Sequence, residues 1–67
     1  MSDTPVNTLM RRVTLHRQLA QTSMLRGIAL TEVRDYENAA AVLGNAVKQL
    51  RKAATANEQL ELDQVAL

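Results

Sequence analysis

The sequence predicts an all-α protein, an antiparallel hairpin of two helices that pairs with a second copy into a four-helix assembly. Three observations carry this. Apolar residues recur at steps of three and four, the spacing that places them on one face of a helix. Tyr36 is the sole aromatic residue, and two glycines and one proline in 67 residues leave no strand-turn-strand punctuation. The clearest stripe, Tyr36, Ala39, Leu43, Ala46, Val47, Leu50, Ala53 and Ala54, interleaves large residues with alanines, which lets two helix backbones lie close.

The first helix starts at Thr4-Pro5, a capping hydroxyl followed by proline at the first helical position. One of its faces holds Leu9, Met10, Val13, Ala20, Met24 and Ile28, with Arg17 intruding. A second stripe, Leu15, Leu19, Leu30 and Val33, lies more than a quarter-turn around the cylinder, with Thr22 and Arg26 inside it. Between the stripes, Asn7, Arg11, Thr14, Gln18 and Gln21 form a solvated face. A hairpin partner covers one stripe. The other either widens that same face or, on the favoured reading, meets a second chain.

Two turns fit. Gly27 before Ile28 has the form of a glycine C-cap, and Val33-Arg34 with Asp35 capping the next helix is the alternative. The stripe runs on through Ile28, which favours a bend at 32–35 and helices of about 27 and 22 residues. Thr55-Ala56-Asn57-Glu58 has capping-box spacing. Residues 1–57 therefore read as the hairpin domain. Residues 58–67, with Leu60, Leu62, Val65 and Leu67 among Glu58, Glu61 and Asp63, read as a short acidic-apolar tail or helix that frays or packs loosely.

Size and composition limit what such a chain can do. Below roughly 70–80 residues, one apolar core seldom supplies more than a few kcal/mol, and staples or association make up the difference. The chain has no cysteine, which removes disulfides and thiolate metal sites, and its single histidine, His16, makes a zinc site improbable. Self-association or docking on a larger partner is left. No basic-then-apolar leader opens the sequence, and no stretch approaches the ~20 apolar residues that cross a bilayer. The expected location is cytoplasmic. The net charge of +1 conceals an asymmetry. Residues 1–34 carry Arg11, Arg12, Arg17, Arg26 and Arg34 against Asp3 and Glu32; residues 35–67 carry Lys48, Arg51 and Lys52 against Asp35, Glu37, Glu58, Glu61 and Asp63. Such opposed halves favour antiparallel pairing.

Catalytic chemistry finds no foothold. The glycines stand alone at positions 27 and 44, so no phosphate loop exists. The hydroxyls nearest His16, on Thr14, Thr22 and Ser23, have no positioned carboxylate beside them, and the acids avoid the apolar faces. His16 reads as a rim or interface histidine. No catalytic residue, cofactor or metal is assigned, and the chain is not expected to be an enzyme.

Two resemblances bear on function. Ala40, Leu43, Gly44 and Leu50 loosely resemble the DNA-reading helix-turn-helix, which would place Lys48, Arg51 and Lys52 on a reading helix. Asn45 stands where that motif is apolar and Val47 where it is polar, and the stripe passes Gly44 without a change of phase. Gly27 through Ala46 resembles part of a tetratricopeptide repeat: Gly27 fits its first-helix glycine, and Tyr36, Ala39 and Ala46 its second-helix aromatic and small positions. Ser23, Arg34 and Arg51 depart from the repeat's usual aromatic, glycine and proline, and one repeat makes no solenoid. The resemblance implies helix-hairpin geometry and no binding residues.

The function expected is a non-catalytic interaction module, a homodimer that binds a larger protein as inhibitor, adaptor or co-chaperone, by analogy with small bacterial or phage accessory regulators. Leu15, Leu19 and Leu30, flanked by Arg12 and Arg26, are the expected partner surface, suited to a groove with an acidic rim. Met10, Val13, Ala20, Met24, Ile28, Tyr36, Ala39, Leu43, Ala46, Val47 and Leu50 are the expected helix-packing and dimer residues. A small DNA-binding regulator using Lys48, Arg51 and Lys52 and a purely structural oligomer subunit are the alternatives.

Overall fold

The computed structural model describes residues 5–65, and the side chains of 5–63. Two helices make up the fold: α1 (Pro5–Glu32) and α2 (Tyr36–Val65). They form one antiparallel hairpin, an all-α slab whose Cα atoms span 50 × 23 × 12 Å. The thickness is that of a single helix layer, so no second layer covers either broad face. No described helix is long and apolar enough to cross a membrane.

Pro5 is the first residue of α1, as expected from its fixed backbone angle; Thr4, its expected cap, lies outside the described residues. At the other end, the turn falls at Val33-Arg34-Asp35, and Gly27 stays inside the helix. Arg34 adopts φ 63°, the left-handed conformation that glycine takes at little cost. Its N–H donates to the Thr31 carbonyl at 3.0 Å, and the Asp35 N–H to the Leu30 carbonyl at 2.9 Å. Those two bonds close a Schellman motif, with arginine at the usual glycine position. Asp35 then starts α2: its carbonyl accepts the Ala39 N–H at 2.9 Å, and its carboxylate accepts the Asn38 side-chain amide at 2.8 Å.

The interface between the helices is a regular coiled-coil seam. In α1 it runs through Val6, Leu9, Val13, His16, Ala20, Ser23, Gly27 and Leu30, alternating steps of three and four. In α2 it runs through Ala39, Val42, Ala46, Gln49, Ala53, Ala56 and Leu60. The buried apolar residues are all alanines, Ala20, Ala39, Ala46 and Ala56. The helices approach so closely at mid-length that a Cβ on Gly27 would stand 2.5 Å from Leu43 Cδ2.

The structure sorts three expectations. First, the 36–54 and 10–28 stripes, expected to pack on each other within or across chains, meet inside the hairpin chiefly through their small members. Val13, Ala20, Ala39 and Ala46 line the seam and Met24 is half-buried, whereas Met10, Ile28, Tyr36, Leu43, Val47 and Leu50 are exposed. The reason is close approach: only small side chains fit between backbones this near, so the bulky ones turn outward. Second, α2 does not stop near Ala56. Thr55 Oγ1 donates to the Arg51 carbonyl within the helix instead of capping a new one, and residues 58–65 are the last turns of α2. Third, α1 has 28 residues, in line with the length expected, whereas α2 runs to 30, well beyond it. Leu67 lies outside the described residues.

Candidate interaction surfaces

Polar side chains occupy the seam in matched pairs. His16 Nδ1 lies 2.7 Å from Gln49 Oε1, with the Nδ1–H tautomer donating. Seven residues further along α1, Asn45 Nδ2 donates to Ser23 Oγ at 2.9 Å. No buried side-chain nitrogen or oxygen among the described residues lacks a partner. A one-residue slide of the helices would separate both pairs, so they set the register of the hairpin. Gln49 and Asn45 were not foreseen. Steps of three and four through Val13, His16, Ala20 and Ser23 do point to them, once small and polar residues count as seam residues.

Leu43 and Asn45 leave α2 on opposite sides of this seam: one lies over Gly27, the other reaches Ser23. They define the two broad faces of the slab. On the Leu43 side α2 presents Tyr36, Ala40, Leu43, Val47, Leu50 and Ala54, and α1 adds Met10, Met24 and Ile28. Its charged residues include Arg17 near the middle and Glu58 and Glu61 at the open end. This face is apolar over most of its length.

The Asn45 side differs in kind. Leu15 and Leu19 lie on it, 51% and 41% exposed, among Arg12, Arg26, Lys48 and Lys52. Its acids stand only at the ends, Glu37 at the outer edge by the turn and Asp63, about five helical turns on from Asn45 and bonded to Gln59, at the open end. The described acids gather at the two ends of the slab, Glu32, Asp35 and Glu37 by the turn and Glu58, Glu61 and Asp63 by the open end. An open depression of about 740 Å³ is lined by Leu9, Arg12 and His16 of α1 and by Lys48, Arg51, Lys52, Thr55, Ala56 and Gln59 of α2, and continues past Gly44 and Val47. Arg12, expected at a protein partner, thus shares a surface with Lys48, Arg51 and Lys52, expected on the DNA-binding alternative. Leu30, half-buried at the seam, is the one member of the expected partner surface that is not fully presented.

Among the described residues no group of three or more His, Asp and Glu could hold a metal. His16 and Ser23, the residues nearest to a nucleophile and base, are engaged by Gln49 and Asn45. α2 passes Gly44 unbroken, so the turn of a helix-turn-helix is absent. Compared with known protein families, with curated proteins and with solved structures, the chain matches none.

Proposed function

We propose that this chain is a small non-catalytic interaction module of the cytoplasm, a homodimer that binds a larger protein and modulates it as inhibitor, adaptor or co-chaperone. One observation carries the reading: Leu15 and Leu19 stand exposed amid Arg12, Arg26, Lys48 and Lys52, with the acids of that face kept to its ends. Apolar anchors supply the desolvated centre of an interface, and a cationic surround selects a partner with an acidic rim and speeds encounter.

The same cations support a second reading, binding of a nucleic-acid backbone, and two substitutions separate them. Leu19→Ala removes an anchor and no charge; Arg12→Ala removes a charge. Tagged protein is used to capture partners from nuclease-treated lysate of its native source, and duplex DNA binding is titrated against salt. A protein partner retained in fixed stoichiometry by the native chain, and lost with both variants, supports the module. Salt-sensitive duplex binding weakened by Arg12→Ala and untouched by Leu19→Ala would transfer the function to nucleic acid. Recovery of its own copies alone, without duplex binding, would make it a structural subunit.

A further inference from the structure

Gly44 and the apolar face beside it have no explanation within one chain. Glycine is unfavourable in a helix interior, and a Cβ at Gly44 would meet nothing within 4 Å. Nothing in the hairpin itself requires a glycine there. Beside it, Tyr36, Ala40, Leu43, Val47, Leu50 and Ala54 repeat at steps of four and three, a second coiled-coil seam on the same helix.

We propose that a second copy of this chain covers this face, α2 against α2 in antiparallel sense, with the two-fold axis passing at residue 45. The inference rests on the homodimer reading and adds its geometry. Reversing the seam about that point sets Tyr36 against the partner's Ala54, Ala40 against the partner's Leu50, and Leu43 against the partner's Val47. The smallest side chains meet large ones, so the layers need neither a cavity nor overpacking. A parallel pair would stack tyrosine on tyrosine and alanine on alanine.

Charge agrees with that register. Glu37 and Arg51 lie just outside the seam on its outer flank, and antiparallel pairing brings each near the other's counterpart on the partner, twice by symmetry. Neither side chain has an ion-pair partner among the described residues of its own chain. Between them, Gly44 lies one residue from the axis and beside the partner's Gly44, where absence of a side chain permits closest approach. With the axis at 45, residues 36–54 of the two α2 helices overlap, about 28 Å of the 50 Å slab at ~1.5 Å per residue. A face on the order of 600 Å² per partner is then in contact, at the small end of stable interfaces.

Sedimentation equilibrium and crosslinking test the arrangement, and a chain without cysteine makes introduced thiols unambiguous. Val47→Glu, on the apolar face and outside the hairpin seam, is expected to raise the dimer dissociation constant by on the order of 100-fold or more. A mixture of Glu37→Cys and Arg51→Cys chains, treated with a short thiol–thiol crosslinker, is expected to link position 37 of one chain preferentially to position 51 of the other. Gly44→Cys is expected to link to itself. A dimer indifferent to Val47→Glu, or Glu37→Cys linking mainly to its own kind, overturns this arrangement while the homodimer reading stands. A native chain that is monomeric at every concentration overturns both.

Discussion

Gly27→Ala probes the closest contact of the hairpin. The new methyl would stand 2.5, 2.6 and 3.4 Å from Leu43 Cδ2, Cγ and Cδ1. Carbon atoms pack at about 3.5–4.0 Å, so Leu43 must yield by roughly 1 Å. It has room to do so, being 39% exposed. A fully buried leucine contributes ~1.5–3 kcal/mol, so swinging this three-fifths-buried one outward costs roughly 1–2 kcal/mol. Against that, alanine gains about 1 kcal/mol over glycine in a helix interior. Gly27→Ala alone is therefore expected to be neutral to destabilising by about 1 kcal/mol. In a Leu43→Ala background the clash is gone, and the same substitution should stabilise by about 1 kcal/mol. Urea unfolding followed by circular dichroism, at one fixed protein concentration, measures the four corners of the cycle. Leu43 also lies on the proposed dimer face, but that loss enters both arms and cancels in the coupling. The expected coupling is about 1–2 kcal/mol; a value under ~0.5 kcal/mol would show that the two positions do not touch as described.

Arg34→Gly should stabilise the hairpin by about 1 kcal/mol, because the left-handed backbone strains arginine and not glycine; the midpoint of thermal unfolding should rise by ~4–8 °C, and an unchanged midpoint would contradict the φ of 63°. Gln49→Ala removes the acceptor from His16 Nδ1 at 2.7 Å and should cost about 1 kcal/mol in urea unfolding. Adding His16→Ala should then cost less than it does in the native chain, and fully additive losses would count against the bond.

What was legible in the sequence follows the size of the side chains. The turn at 32–35 was readable because Asp35 can cap a helix and the apolar pattern passes Gly27 undisturbed. The α-helical class was readable from periodicity. The seam was less so, because hydropathy favours large residues, whereas this contact is set by Ala20, Ser23, Gly27, Ala39 and Ala46, whose value lies in being small. The stripe read from 36 to 54 was in fact two superposed seams. Ala39, Ala46 and Ala53 face α1, while Tyr36, Leu43, Val47 and Leu50 face outward. A step of one residue separates the two phases, so a helical wheel alone merges them. The acidic spacing at Glu58 misled for a different reason: Thr55 can bond back to a carbonyl within the helix as readily as it can cap.

The division of side chains between seam and surface has a consequence for how the molecule works. The fully buried residues of the seam are alanines, a serine and a glycine, and its valines and leucines are only half-buried, so the hairpin draws limited stability from its own interior. The large residues that could supply more are on the Leu43 face, and a second copy placed there turns association into folding free energy. The opposite face, with Leu15, Leu19 and its four cations, takes no part in that contact. In the antiparallel dimer proposed above, two such faces point away from each other on opposite sides of a four-helix core. A partner with two acidic sites, or two linked partners, would then bind the dimer with avidity that a monomer lacks. Leu50→Glu discriminates here. Leu50 is exposed on the dimer face and, unlike Val47, does not line the depression that holds Arg12, so this variant should preserve the intrinsic affinity for a single acidic site on whatever fraction stays folded. The avidity for a bivalent one should disappear. Equal loss for both kinds of partner would place the binding residues on the dimer face instead.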